Sequence, residues 1–211
     1  MSFNSSIRVL VALCLSLGLG LASAVAEPVR IVAFGDSLMA GYQLNPGESF
    51  PEKLEEALNA RGHDVVIANA GVSGDTTSAG LSRLDWSVPD DTEMVILGLG
   101  ANDMLRGLDP EITERNLAAM LESLQRRDVD VLLMGMLAAP NLGANYGQRF
   151  NAIYPALAGQ FDVELYPFFL DGVTTVSGMT LEDRMHPNAA GVDRMVEGVL
   201  PMIEAYIEAQ G

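Results

Sequence analysis

At 211 residues, with 49% hydrophobic and 19% charged, the chain can bury the core of one domain and is too short for two of ordinary size. Its 28 acidic residues outnumber 12 basic ones, a formal charge of −16, which excludes a basic nucleic-acid interface and repels anionic lipid surfaces. The acidic residues are scattered in ones and twos, as on a solvated surface, and do not form a tail.

At the amino terminus, Arg8 precedes an uncharged apolar run, residues 9–21, followed by Ala22, Ser23, Ala24, Val25 and Ala26. That layout predicts a secretory signal peptide over residues 1–26, cleaved after Ala26. The run of 13 residues falls short of the roughly 20 that span a bilayer as a helix, so no stable membrane anchor is expected after cleavage. Cys14 is the single cysteine; it lies inside the run behind the bulky Leu13, which does not suit a lipidation site, and it leaves with the leader. The mature chain, residues 27–211, then has no thiol, which excludes disulfides, thiolate catalysis and cysteine metal sites. Losing Arg8 leaves 11 basic against 28 acidic residues, a formal −17.

From Val29 onward, short apolar runs alternate with longer segments of helical period, the pattern of a parallel sheet wrapped by helices. Strands are predicted over residues 29–34, 65–69, 94–99 and 131–136. Helices are predicted over 49–61, 77–86, 110–127, 146–159 and 189–209. Leu117, Met120, Leu121 and Leu124 repeat at helical spacing, and Pro110 suits a first helical turn capped by Asp109. Pro201 is expected to kink or split the last helix. Beyond Phe161 the pattern specifies no strand edges. The fold class is α/β: a three-layer α/β/α sandwich with a central parallel sheet, flavodoxin-like in shape.

Open parallel sheets bind ligands beyond the carboxyl ends of their strands, so the loops after the strands are the ones to inspect. Gly35-Asp36-Ser37 follows the first strand, residues 71–75 the second, and Gly100-Ala101-Asn102-Asp103 the third. Residues 183–188 precede the final helix. A serine hydroxyl needs a base to remove its proton, and the base needs an acidic partner to fix its tautomer. Of the two histidines, His63 falls in a helix-to-strand turn at the opposite edge, where it reads as a solvated turn residue. His186 is left as the base for Ser37. Asp183, three residues earlier, can reach the same imidazole; taken alone it reads as a helix-capping or surface residue. Acyl transfer also needs donors for the developing oxyanion, and Gly74, Asn102 and the Ser37 amide lie in the loops that would supply them.

Other chemistries lack their residues. Gly98-Leu99-Gly100 has no third glycine of a dinucleotide fingerprint, and there is neither a Walker-type loop nor a His-Glu-x-x-His. Two distant histidines give no metal site, and no cofactor is expected. Met39 replaces the second glycine of a Gly-x-Ser-x-Gly elbow, which disfavours the common α/β-hydrolase fold.

Gly35-Asp36-Ser37-Leu38, residues 69–76, Gly100-Ala101-Asn102-Asp103 and Asp183-x-x-His186-Pro187 resemble, in order, the four motif blocks of the SGNH, or GDSL-type, hydrolases. The match covers most of the mature chain. It is most similar to the branch holding thioesterase I / protease I / lysophospholipase L1 and arylesterases, with which Leu105-Arg106-Gly107, residues 144–147 and residues 166–169 also agree. The resemblance implies Ser37 as nucleophile, Asp183 and His186 as the rest of a triad, and Ser37, Gly74 and Asn102 as the oxyanion hole. It also implies a cofactor-independent, periplasmic or secreted serine esterase or thioesterase acting on aryl esters, acyl thioesters or lysophospholipids.

Two alternatives stay open on the sequence. One is an acetylesterase or acyltransferase directed at carbohydrate or cell-envelope groups; the other is an exported binding module without catalysis. Met104, Leu105, Leu108 and residues 137–142 either line an acyl channel or pack as ordinary core and loop.

Overall fold

Residues 27–210 are described by a computed structural model, so the leader expected at residues 1–26 lies outside the described residues. The strand β1 (Val29–Gly35) is buried over its last five positions, as a central strand covered on both faces must be. β2 (Val65–Gly71) pairs with it on one side and β3 (Met94–Gly98) on the other, and β4 (Asp130–Met134) and β5 (Glu164–Tyr166) continue the sheet. All pairings are parallel, in the order β2-β1-β3-β4-β5. Gly35 lies opposite both Gly71 and Gly98, so three carboxyl ends finish level. The order reverses direction between β1 and β3, which opens a crevice there for a ligand.

The helices are α1 (Ser37–Ala40), α2 (Phe50–Ala60), α3 (Thr77–Ser87), α4 (Ala101–Leu105), α5 (Pro110–Gln125), α6 (Ala144–Phe161) and α7 (Ala189–Gln210), with a 3-10 turn at Pro140–Leu142. α2 packs on α7, while α5 packs on both α3 and α6; the two groups sandwich the sheet in the expected three-layer α/β/α arrangement. Asp109 caps α5 by accepting from the Glu111 N–H at 3.1 Å, and Pro110 opens the first turn, where its missing N–H costs nothing. The stripe Leu117, Met120, Leu121 and Leu124 is wholly buried. Removing any one of these leucines to alanine would cost about 2–5 kcal/mol.

Three features differ from the sequence expectation. Pro201, expected to kink or split the last helix, does not split α7: it sits on the exposed side, where water can take the carbonyl that a proline leaves without an N–H partner. β5 has only three residues, too few to show a period. The loops after β1 and β3 turn at once into the short helices α1 and α4, because Asp36 accepts from the Leu38 N–H at 3.0 Å and Gly100 takes a φ of 115°. A side chain at Gly100 would also collide with the Tyr154 hydroxyl, which instead donates to the Leu99 carbonyl at 3.0 Å.

β2 is an edge strand, and α2 covers it with hydrogen bonds. Asn59 both donates to Val65 O at 3.1 Å and accepts from Val65 N at 3.2 Å, and Glu55 accepts from the Ile67 N–H. Satisfying these groups removes the template that an open edge offers to another chain.

Candidate active site

Ser37 is the first residue of α1, directly beyond β1, with its side chain half-buried. His186 arrives from the other end of the chain, in the loop before α7. Ser37 Oγ lies 2.9 Å from His186 Nε2, across 149 residues of sequence. On the far side of the ring, Nδ1 lies 2.6 Å from Asp183 Oδ2. A carboxylate only accepts, so Nδ1 carries the proton and Nε2 presents its lone pair to the serine hydroxyl.

The Asp183 loop is shaped by its own hydrogen bonds. Oδ1 of Asp183 accepts from the N–H groups of Met185 at 2.9 Å and His186 at 3.0 Å, leaving Oδ2 for the imidazole. Burial would raise the Asp183 carboxyl, but these two N–H groups and the imidazole overcome it and hold its pKa at about 2. Leu181 N donates to His186 O at 2.8 Å, closing the turn. Asn188 then fastens the loop to α7: its Oδ1 accepts from Gly191 N at 3.0 Å and its Nδ2 donates to Gly178 O at 2.8 Å.

Gly74 and Asn102 come to the same edge. Gly74 has a φ of 88°, a left-handed conformation that strains any residue with a Cβ, and Arg106 Nη2 donates to its carbonyl at 2.8 Å. Fixing the carbonyl fixes the orientation of the exposed loop. The half-buried Asn102 amide donates to Asp75 O at 3.0 Å and to Asp36 Oδ2 at 3.2 Å, so the loops after β1, β2 and β3 are tied together at one side chain. All five residues singled out from the sequence therefore converge.

Several neighbours have roles that the sequence pattern does not assign. Asp36 is almost wholly buried, and desolvation pushes its carboxyl up to about 6 against the lowering effects of the Leu38 N–H, His186 and the Asn102 amide. The ring of Tyr42 lies with its centroid 4.5 Å from that of His186, tilted by 38°. Asp103 is fully buried and accepts from both the Thr77 N–H, at 2.8 Å, and the Thr77 hydroxyl, anchoring α4 to α3 one residue beyond Asn102. Arg83 was legible in principle, as a cation three residues after the buried Gly80 on the inner stripe of α3.

His63 stays at the amino-terminal edge, as expected, but it is not merely solvated. Its Nε2 lies 3.4 Å from Glu204 of α7, which also pairs with Arg61 at 2.7 Å. The suggested acyl-channel residues divide: Met104 belongs to the core, whereas Leu105 and Leu137 are exposed. Among the described residues, no group of three or more His, Cys, Asp or Glu side chains is placed to hold a metal ion, and no helix is long and apolar enough to cross a membrane.

Residues 33–194 match the model of the GDSL-like Lipase/Acylhydrolase family. The chain is similar to the arylesterase of Vibrio mimicus, 39% identical over 84% of this chain and 88% of that protein. It is also similar to the thioesterase 1/protease 1/lysophospholipase L1 of Escherichia coli (strain K12), 34% identical over 89% of this chain and 88% of that one. Among solved structures, the crystal structure of AlinE4, an SGNH-hydrolase family esterase, is 48% identical with a TM-score of 0.73, covering 86% of this chain and 97% of that chain.

Proposed function

The chain belongs to the GDSL-like lipase/acylhydrolase family, and from that premise we propose that Ser37, His186 and Asp183 are its catalytic triad, with the backbone N–H groups of Ser37 and Gly74 and the Asn102 amide as its oxyanion hole. The protein is a carboxylic ester hydrolase. A binding module without catalysis is thereby set aside.

The observation that carries the residue assignment is the 2.9 Å approach of Ser37 Oγ to His186 Nε2. Ser37 Oγ attacks the acyl carbonyl carbon while its proton passes to Nε2, and the carbonyl oxygen becomes an oxyanion facing the three N–H donors. The tetrahedral intermediate collapses by breaking the bond to the leaving alcohol or thiol, which takes the proton back from Nε2. Water then attacks the acyl-Ser37 ester with its proton going to Nε2, and a second collapse releases the carboxylic acid and restores the serine hydroxyl. Asp183 stays ionised throughout and stabilises the imidazolium that forms twice.

Reaction of the protein with a fluorophosphonate, followed by peptide mapping, is expected to place the adduct on Ser37, and Ser37→Ala should lose about 10⁴-fold or more in kcat on a p-nitrophenyl ester. An unlabelled Ser37, or an active Ser37→Ala protein, overturns the assignment. Aryl esters, acyl thioesters and lysophospholipids are the proposed substrates, since the relatives named arylesterase and thioesterase 1/protease 1/lysophospholipase L1 are 39% and 34% identical over most of their length.

One observation favours a polar leaving group as a second reading. Glu182 and Arg184, on either side of Asp183, and four hydroxyl side chains between Thr174 and Thr180 line, together with the apolar Val176 and Leu181, an open groove of about 570 Å³ beside the proposed triad. Hydroxyls and charges of this kind suit a carbohydrate acceptor, and higher turnover on acetylated sugars than on octanoyl esters would select it. Residues 1–26 are proposed to be removed on export, so that the mature enzyme works in the periplasm or outside the cell; the strong acidity suits a small acyl substrate and not nucleic acid. Amino-terminal sequencing of the exported protein should begin at Glu27.

A further inference from the structure

Arg83 is a cation with only 7% of its surface exposed, projecting from α3 into the space beneath the site. Its guanidinium is bonded on every nitrogen. Nε donates to Asp75 Oδ2 at 2.6 Å, Nη1 to Ala70 O at 2.9 Å and Ser87 Oγ at 3.3 Å, and Nη2 to Gly35 O at 2.8 Å. The guanidinium carbon also lies over Phe34, 4.0 Å from the ring centroid.

The three main acceptors have one thing in common. Gly35 stands two residues before Ser37, at the end of β1. Ala70 is near the end of β2, just before the loop that reaches Gly74. Asp75 follows Gly74 directly, and its carbonyl accepts from the Asn102 amide at 3.0 Å. One guanidinium thus holds the backbone two residues before Ser37, the end of the strand that leads to Gly74, and the side chain of the residue whose carbonyl accepts from Asn102, although it touches none of the three proposed donors itself.

We propose that Arg83 is a positioning residue for the oxyanion hole, its rigid fork setting the spacing of the loops after β1 and β2 and, through Asp75, the aim of Asn102. This inference rests on the assignment of Ser37 N, Gly74 N and Asn102 Nδ2 as the hole. A buried ion pair is a poor source of net stability, because desolvating both charges offsets most of their attraction, and an apolar pair of the same volume does as well. What an apolar pair lacks is direction. A guanidinium presents donors at fixed angles, whereas an ammonium is a point charge that swivels, so lysine would keep the charge and lose the geometry. Oxyanion stabilisation is sensitive to such geometry, since the donors must meet the oxygen of the transition state and not that of the ground state.

The test is a cycle of Arg83→Met, Asn102→Ala and the double variant, with Arg83→Lys and Asp75→Asn alongside, assayed on one p-nitrophenyl ester. Inhibition by an alkylboronic acid, which forms a tetrahedral adduct on the serine, is measured in parallel. Arg83→Met is expected to lower kcat by about 10²-fold with KM within about threefold, and to weaken the boronic acid in proportion to kcat. Arg83→Lys should not restore kcat, and Arg83→Met should cost less in the Asn102→Ala background than alone, because the part of its effect that passes through Asp75 to the Asn102 amide is already lost there. Full additivity in the cycle, a loss confined to KM, or rescue by lysine would overturn the inference. If Arg83→Met does not fold, Arg83→Lys and Asp75→Asn carry the same kcat and boronic-acid readouts. An inactive Ser37→Ala protein and an impaired Asn102→Ala protein beside a fully active Arg83→Lys would refute the role of Arg83 alone; an active Ser37→Ala protein would refute the underlying assignment instead.

Discussion

Asp36 Oδ2 accepts from the Asn102 amide at 3.2 Å, while Asp36 Oδ1 accepts from the Leu38 N–H at 3.0 Å. The residue preceding Ser37 in sequence therefore holds the asparagine that comes to Ser37 in space. Both hydrogens of the Asn102 amide have acceptors in the resting protein, the second being Asp75 O. An oxyanion must share one of these hydrogens, and its charged oxygen is a stronger acceptor than the neutral Asp75 carbonyl.

Replacing Asn102 with alanine should accordingly lower kcat by about 10²–10³-fold with little change in KM, the usual loss on deleting one oxyanion donor. Steady-state kinetics on a p-nitrophenyl ester decides it. A fully active variant removes Asn102 from the hole.

Asp183→Asn should cost about 10³–10⁴-fold in kcat, because an amide facing Nδ1 no longer selects the tautomer that leaves Nε2 unprotonated. The neutral side chain also weakens the turn that two N–H groups form on the carboxylate. Far-UV circular dichroism should stay unchanged, and activity within about tenfold of the parent would show that the imidazole is oriented by other contacts.

The face of Tyr42 against His186 offers a π-cloud to the imidazolium formed during the reaction. Tyr42→Phe keeps the ring and should leave kcat/KM nearly unaltered. Tyr42→Ala should lower it by about 2–5-fold, the equivalent of roughly 0.5–1 kcal/mol. Equal losses in the two variants would assign the effect to the hydroxyl.

Two aspartates give pH effects of opposite sign. Asp183 is depressed to about 2, so its contribution to stability is complete above the ordinary aspartate range and is lost as pH falls toward 2. Asp36 is raised to about 6, so between roughly pH 4 and 6 the folded state binds more protons than the unfolded one, and stability declines as pH rises through that window. The decline from Asp36 amounts to about 3 kcal/mol at most. Urea unfolding at pH 4, 5, 6 and 7 should show it in the parent and not in Asp36→Asn; an identical profile in both would mean that Asp36 titrates as a solvated carboxyl.

Much of this molecule is legible along the chain. The stripe of α5 announces itself because helical period is a local property, and Asp109 and Pro110 mark the helix start by residue type. Asp183 and His186 lie three residues apart, so one turn suffices to join them. β5 escaped because three residues show no period, and that Pro201 leaves α7 unsplit could not be read locally, because the exposure that makes proline tolerable there depends on which face meets the core.

By itself, the sequence determined the alternation of strand and helix, the loops that carry chemistry and the candidates for nucleophile, base and acid, all set by residue type and short-range spacing. Tertiary structure alone decided that Asp36 is buried with a raised pKa, that Tyr42 lies against His186, and that Arg83 spans Gly35, Ala70 and Asp75. The reason is physical: desolvation and hydrogen-bond geometry belong to groups brought together by strand register and helix packing, and partners 48 residues apart, as Arg83 and Gly35 are, leave no periodic trace along the chain.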